Sequence, residues 1–236
     1  MNWRYFSVPG NRICWRVDVQ LESKSYDKSS AFRNSEWGSE STSSIHDALR
    51  SFKLPIGTTG KYFTIGNMID STESENISKV ILEEKLYTTW YHRRTVLIGD
   101  ACHKMLPNAG KGAVTAMMDA VALANAIYEI ADNATPENIL SAFRSYYRER
   151  YDSSKKDLIS SQSAAKLLAG QTWKDSMRRK LMFKMAPFPY KLKAKTLANR
   201  PQATFLPKVK NRGTGFIKLQ KESIRYQLLK AKSTVI

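Results

Sequence analysis

"RRTVLIGDACHKMLPNAGKGAV", residues 93–114, decides how this chain is read. Two arginines lead into Thr95 to Ile98, a β-favouring run that reads as a buried strand. Gly99 follows, where the backbone can take a path that a Cβ would block. Asp100 then stands at the carboxyl end of the strand, where α/β folds place their ligands. A carboxylate there can accept hydrogen bonds from a sugar or sugar-alcohol hydroxyl. Pro107 stiffens the loop, and Gly110 and Gly112 let the backbone come within contact distance of a ligand. A helix expected from about Ala113 to Ile130 offers free N–H groups and the positive end of its dipole at Ala113 and Val114. Such a helix start favours a phosphate, or a carbonyl with developing negative charge. A plain strand–turn–helix would need glycine for turn geometry alone. The ordered series Gly99-Asp100-Ala101, His103, Pro107, Gly110, Gly112, Asp119-Ala120 is longer than that reading requires.

Outward from this stretch, Val114, Met117, Val121, Ala124 and Ile127 form one helical face, and Ala116, Ala120, Leu123 and Ala126 fill the rest. A helix apolar nearly all round is a buried helix. Thr135-Pro136-Glu137 marks the next helix start, with Leu140, Phe143 and Tyr147 as its stripe and a run into the 160s. Upstream, "RICWRVDVQL", 12–21, alternates as a half-buried strand, with Ile13, Trp15, Val17, Val19 and Leu21 on one side. The turn "PGN", 9–11, pairs it with "YFSV". Residues 23–44 read as a loop, and Ser44 to Asp47 has the capping-box spacing of a short helix. Strands are expected at 61–69 and 79–82. "APFPY", 186–190, breaks the chain, and a last helix is expected from about Ile217 to Lys232.

The 236 residues carry a net charge of +17, and nearly all of it sits at one end. From Arg178 onward there are 16 basic residues and one acid, Glu222. The default reading is a solvated basic face; the functional one is a contact surface for anionic lipid, nucleic acid or an acidic partner. "MRRKLMFKMAPFPYKLKAKTLANR", 177–200, mixes the charge with Met, Leu, Phe and Tyr. That favours an anionic membrane surface. No nucleic acid is expected, since no binding motif accompanies the charge. The only cysteines, Cys14 and Cys102, are too far apart in sequence for a disulfide framework. With no signal peptide and no apolar run of about 18 residues, a cytoplasmic protein, peripheral to a membrane at most, is expected. His103 beside Cys102 lacks partners at metal-ligand spacing, so a structural role is expected and no metal site. Glu83-Glu84 reads as a solvated turn, and Trp90 and Tyr91 as core.

The stretch "GDACHKMLPNAGKGAVTAMMDA", 99–120, resembles the second flavin-binding motif of the FAD-dependent, aromatic-hydroxylase-like monooxygenases. "NSEWGSES", "ISKVILEEKLYTTWYHRRTVLIGDACHK" and "RPQATFLP" look like the branch of that family found in fungal secondary metabolism. The resemblance covers about residues 5 to 215, and only 99–120 is mechanistically specific. It implies that Asp100 bonds the ribityl chain of FAD, within a site of Gly99, Asp100, Ala101, Pro107, Gly110, Gly112, Ala113 and Val114. Pro107 and the backbone from Gly110 to Val114 would lie along the isoalloxazine and its neighbouring phosphate. It also implies NAD(P)H as reductant, O2 and a small organic substrate, prenylated or polycyclic, which is hydroxylated or epoxidised by a flavin hydroperoxide. No side chain of this chain is assigned direct chemistry. Thr115 stands where many members have Asn.

Two of that family's FAD segments are not found. "GTTGKYFTIG", 57–66, has the wrong glycine spacing for a Gly-x-Gly-x-x-Gly turn, and no Asp-Gly pair occurs. The chain therefore reads as the C-terminal portion of such an enzyme, truncated, and is expected to bind FAD weakly or not at all alone. The alternative is a non-catalytic remnant or a basic membrane-surface protein. The expected class is α/β, or an α+β fragment, with a mixed sheet, a buried flavin-side helix and a helical C-terminus. The expected divisions are a substrate-domain sheet fragment at 1–92, the C-terminal part of the FAD-binding domain at 93–165, and a basic helical region at 166–236.

Overall fold

The computed structural model describes residues 2–19, 36–37, 47–54, 63–169, 173–184, 200–208 and 218–233. The chain divides into two compact units, one of residues 21–83 and one of residues 1–20 with 84–236.

In the smaller unit, short helices α1 (Asp47–Arg50) and α2 (Ile65–Asp70) accompany two antiparallel pairs. Lys53–Leu54 pairs with Phe63–Thr64, and Glu36–Trp37 with Ser78–Lys79. The strand expected over 61–69 is a two-residue strand followed by a helix. Thr64 caps it by accepting from the Asn67 N–H, and Asn67 Oδ1 accepts from the Thr64 N–H at 2.9 Å. This reciprocal capping box supplies the helix start, and Ile65, Met68 and Ile69 make the buried stripe. The strand expected at 79–82 begins one residue early and stops at Lys79, with Val80 and Leu82 exposed. The loop 23–44, the residues Ser44 to His46 and the "APFPY" break lie outside the described residues, apart from Glu36–Trp37.

In the larger unit, β1 (Asn2–Val8) and β2 (Arg12–Asp18) form the expected antiparallel hairpin, with Tyr5 opposite Trp15. The expected burial of one face is incomplete: Ile13 is 60% exposed. The hairpin meets the 107–109 turn through Arg16 Nη2, which donates to Asn108 Oδ1 at 2.7 Å. The mixed sheet is a correction. Every sheet among the described residues is a two-stranded antiparallel pair. The strand expected over 94–98 is only Thr95–Val96, paired with Tyr91–His92, and Leu97 and Ile98 stand exposed rather than buried. A hairpin edge satisfies its ladder on one side only and has no second layer of its own.

Helices make up most of the described residues of the unit. They are α3 (Asp100–His103), α4 (Gly112–Glu129), α5 (Pro136–Ala169), α6 (Trp173–Lys184) and α7 (Ile224–Ser233). As expected, Thr135 caps α5, its Oγ1 accepting from the Asn138 N–H at 3.3 Å. The last helix starts seven residues later than expected, because Ser223 caps it by accepting from the Tyr226 N–H at 3.1 Å. Trp90 is fully buried, in a core with Cys102, Ala122 and Tyr146. Its indole N–H donates to the Tyr87 carbonyl at 2.8 Å. Both cysteines are free thiols. No helix among the described residues is long and apolar enough to cross a membrane.

Residues 200–208 dock on α4 through Asn125 and Tyr128. Asn125 Nδ2 donates to the Gln202 carbonyl at 2.8 Å, and its Oδ1 accepts from the Thr204 N–H at 3.0 Å. Phe205 stacks on Tyr128 with ring centroids 4.8 Å apart, and Arg225 lies over the same ring while pairing with Asp132 at 2.6 Å. Each hydrogen bond of the Asn125 amide contributes about 1 kcal/mol net. Asn125→Ala is therefore expected to raise hydrogen exchange at the Thr204 amide by about tenfold or more while leaving the Trp90 core protected. Unchanged exchange at Thr204 would show that Asn125 does not hold the segment.

Candidate functional site

Gly99 joins the 95–96 strand to α3 with φ +61 and ψ −135, a conformation that L residues rarely adopt. A Cβ there would stand 3.1 Å from the Ala116 Cβ. The turn thus packs against the second turn of α4, and both positions must be small. Asp100 and Ala101 open α3 and are exposed, whereas Cys102 and His103 are buried. Pro107 begins a 3-10 turn, Pro107–Ala109, which Gly110 ends in the left-handed region at φ +62. Gly112, Ala113 and Val114 form the first turn of α4, one residue earlier than expected.

The start of α4 is open. Lys111 is its cap residue, no side chain caps it, and its first turn holds no acid. Around Gly110 and Gly112, nothing lies within 4 Å of where a Cβ would be. Gly110 needs glycine for its φ. Gly112 has no positive φ, and no described residue stands close enough to require glycine there. An N–H cluster with free approach, a positive helix end and an exposed carboxylate at Asp100 suit a ligand that carries both hydroxyls and anionic oxygen.

The inward face of α4 differs from the expected apolar one. Met117 is 65% exposed, and the buried line is Thr115, Asp119 and Ala122. Asp119 is completely buried. Its Oδ2 accepts from His103 Nε2 at 2.5 Å and from the Gly99 N–H at 3.1 Å, and its Oδ1 accepts from Arg150 Nε at 2.9 Å. Burial pushes the Asp119 carboxyl upward, but His103, Arg150 and Gly99 together outweigh it and hold the group below the usual carboxylate range. Burial, and then the Asp119 charge, push the neighbouring Cys102 thiol up to about 12, so it is no nucleophile. His103 thus has the structural role expected of it. No cluster of three metal-ligating side chains occurs among the described residues.

One face of α5 holds the whole loop. Tyr146 OH donates to the Leu97 carbonyl at 3.2 Å, Arg150 reaches Asp119, and Ser161 Oγ donates to the Leu106 carbonyl at 2.6 Å. Asp157 takes Lys111 Nζ at 2.6 Å and the Thr115 hydroxyl at 3.2 Å. Thr115 therefore faces α5. Sequence reasoning missed Tyr146, Arg150, Asp157 and Ser161. Their spacing of four, seven and four is a helical stripe, a signal visible only when polar residues are allowed onto the inward face. Glu84, expected in a solvated turn, is half-buried.

Asp119→Asn leaves Arg150 buried without its counter-charge, a loss of roughly 3–5 kcal/mol. Because the folded-state pKa is depressed, the carboxylate's contribution is complete above the unfolded value and disappears as pH falls through the folded one. Urea unfolding is expected to show the wild type losing stability below about pH 4 and the variant following a flatter profile. Identical profiles would remove Asp119 from its central place.

A family model for the FAD binding domain matches residues 64–157. The chain is 30% identical over 172 residues to FAD-dependent monooxygenase paxM of Penicillium paxilli, covering 70% of this chain and 36% of that protein. It is 30% identical over 168 residues to FAD-dependent monooxygenase atmM of Aspergillus flavus, covering 69% and 35%. Over a shorter run of 66 residues it is 48% identical to FAD-dependent monooxygenase trt8 of Aspergillus terreus, covering 28% and 17%. The chain thus spans about a third of the length of the first two relatives. The domain match and the relatives agree: residues 64–157 match part of an FAD binding domain, and the chain is similar to FAD-dependent monooxygenases over about a third of their length.

Proposed function

We propose that residues 99–114 are the flavin-facing segment of a monooxygenase that inserts one oxygen atom into an organic substrate. The observation that carries this reading is Gly112, a helix-start glycine for which the described residues give no steric or conformational need. In the proposal, Asp100 accepts hydrogen bonds from the ribityl hydroxyls and so sets the depth of the cofactor. Gly110 and Gly112 admit it to contact with the backbone. The N–H groups of Gly112, Ala113 and Val114 donate toward anionic oxygen, aided by the helix dipole and by Lys111 at the cap. Gly99, Ala101 and Pro107 fix the walls of this cradle. When bound, FAD supplies the ring that accepts electrons from NAD(P)H and activates dioxygen.

The fit rests on the donor set and on the open approach, both properties of this chain's own residues. The prenylated or polycyclic substrate class, with hydroxylation or epoxidation as the outcome, rests on the family resemblance. The Gly-x-Gly-x-x-Gly turn for the ADP half is not among the 236 residues. The cradle therefore addresses the ribityl, ring and phosphate end of the cofactor.

Titration of the chain with FMN or FAD, followed by amide chemical shifts, is expected to perturb the same residues between 99 and 114 with both flavins. Asp100→Ala and Gly112→Ala should both weaken that response. Gly112→Ala should at the same time leave stability unchanged or raise it by up to about 1 kcal/mol, since Ala favours a helix over Gly. Perturbations that map elsewhere would sink the assignment.

A further inference from the structure

The helix α6 (Trp173–Lys184) has a face the cofactor reading leaves unused. Trp173, Met177 and Leu181 are 70%, 59% and 56% exposed. At about 100° per residue these three fall within a stripe about 80° wide. Lys174 and Arg178 border the stripe on one side and Lys180 on the other, with Lys184 at its end. All four of these basic residues are exposed, whereas Asp175, Ser176 and Arg179 lie on the half-buried side. Arg179 is turned inward, its Nη1 donating to the Leu168 carbonyl at 3.1 Å. The helix therefore packs by its Arg179 side and turns the apolar stripe out. Lys174 Nζ stands 5.8 Å from the centroid of the Trp173 ring, so ammonium and indole are presented together.

We propose that α6 docks on an anionic phospholipid surface, with Trp173, Met177 and Leu181 entering the interface and the flanking Lys and Arg side chains meeting the headgroups. An apolar stripe between basic flanks is the pattern of a helix that lies in the plane of a membrane surface. Both halves of the face are then satisfied, whereas a polyanion in water would leave the three apolar side chains exposed. A second copy of the chain is disfavoured by like charge: the helix holds five basic residues against Asp175, on a chain of net charge +17. The surface lies in the same compact unit as the flavin segment, yet the proposal stands apart from the cofactor reading.

The test is co-sedimentation of the full chain with phosphatidylcholine vesicles, with and without phosphatidylserine, at low and high salt. Binding is expected only with phosphatidylserine, and is expected to weaken with salt. Two variants separate the contributions. Trp173→Ser with Met177→Ser and Leu181→Ser removes the stripe, and Arg178→Glu with Lys180→Glu reverses the flanks. Each is expected to lower partitioning about tenfold or more while keeping the wild-type melting temperature, since all five positions are exposed. Equal binding to both vesicle types, or unchanged partitioning of either variant, overturns the proposal. So does a dimer in solution that the stripe variant dissociates, which would assign the face to a second copy.

Discussion

The carboxylate of Asp119 is the interaction on which the larger unit depends. It is sealed from solvent and bonded by an imidazole, a guanidinium and a backbone N–H. Taking such a charge out of water costs several kcal/mol, and only well-aligned donors offset that cost. Those donors come from the Gly99 turn, from α3 and from α5, while the carboxylate belongs to α4. One buried charge therefore fixes four pieces of chain at once. The backbone at Gly99, in a conformation that glycine adopts freely and other residues do not, is fixed by this bond and by the close approach of Ala116.

Around that point α5 works as a backboard. Each of its turns that faces the loop carries one polar side chain aimed at a different place: Leu97, Asp119, Lys111 with Thr115, and Leu106. On the same helix Phe143 and Leu158 are buried as well. The loop from 97 to 119 is thus determined by a helix that begins 17 residues after it ends. This leaves the outer side of the loop, with the exposed Asp100 and the open approach to Gly110 and Gly112, accessible to a ligand.

Several local readings failed for one shared reason. Apolar and β-branched residues report a preference for burial and for extended backbone, and neither preference names a partner. Thr95 to Ile98 has strand composition, yet only a hairpin neighbour pairs with it, so Leu97 and Ile98 face solvent. Over 61–69 the β-favouring run Tyr62-Phe63-Thr64-Ile65 competes with the Thr64–Asn67 capping box, and the reciprocal hydrogen bonds decide for a helix. In α4 the rule that polar residues face outward placed Met117 inside, and the buried charge cluster reversed it.

What the sequence determined by itself was the order of chemistry along the chain. Gly-Asp, the proline loop, the two spaced glycines and the helix after them were legible because each demands a residue type that few others can replace. The hairpin, the start of α5 and the buried Trp90 were legible as well, from turn residues, a Thr-Pro-Glu cap and aromatic composition. Only the tertiary structure decided which face of each helix turns inward and what holds the loop. Those choices depend on charges and hydroxyls satisfied by partners far away in sequence. An Asp119 pairs with an Arg150, or a Lys111 with an Asp157, only once folding has brought them within hydrogen-bonding distance.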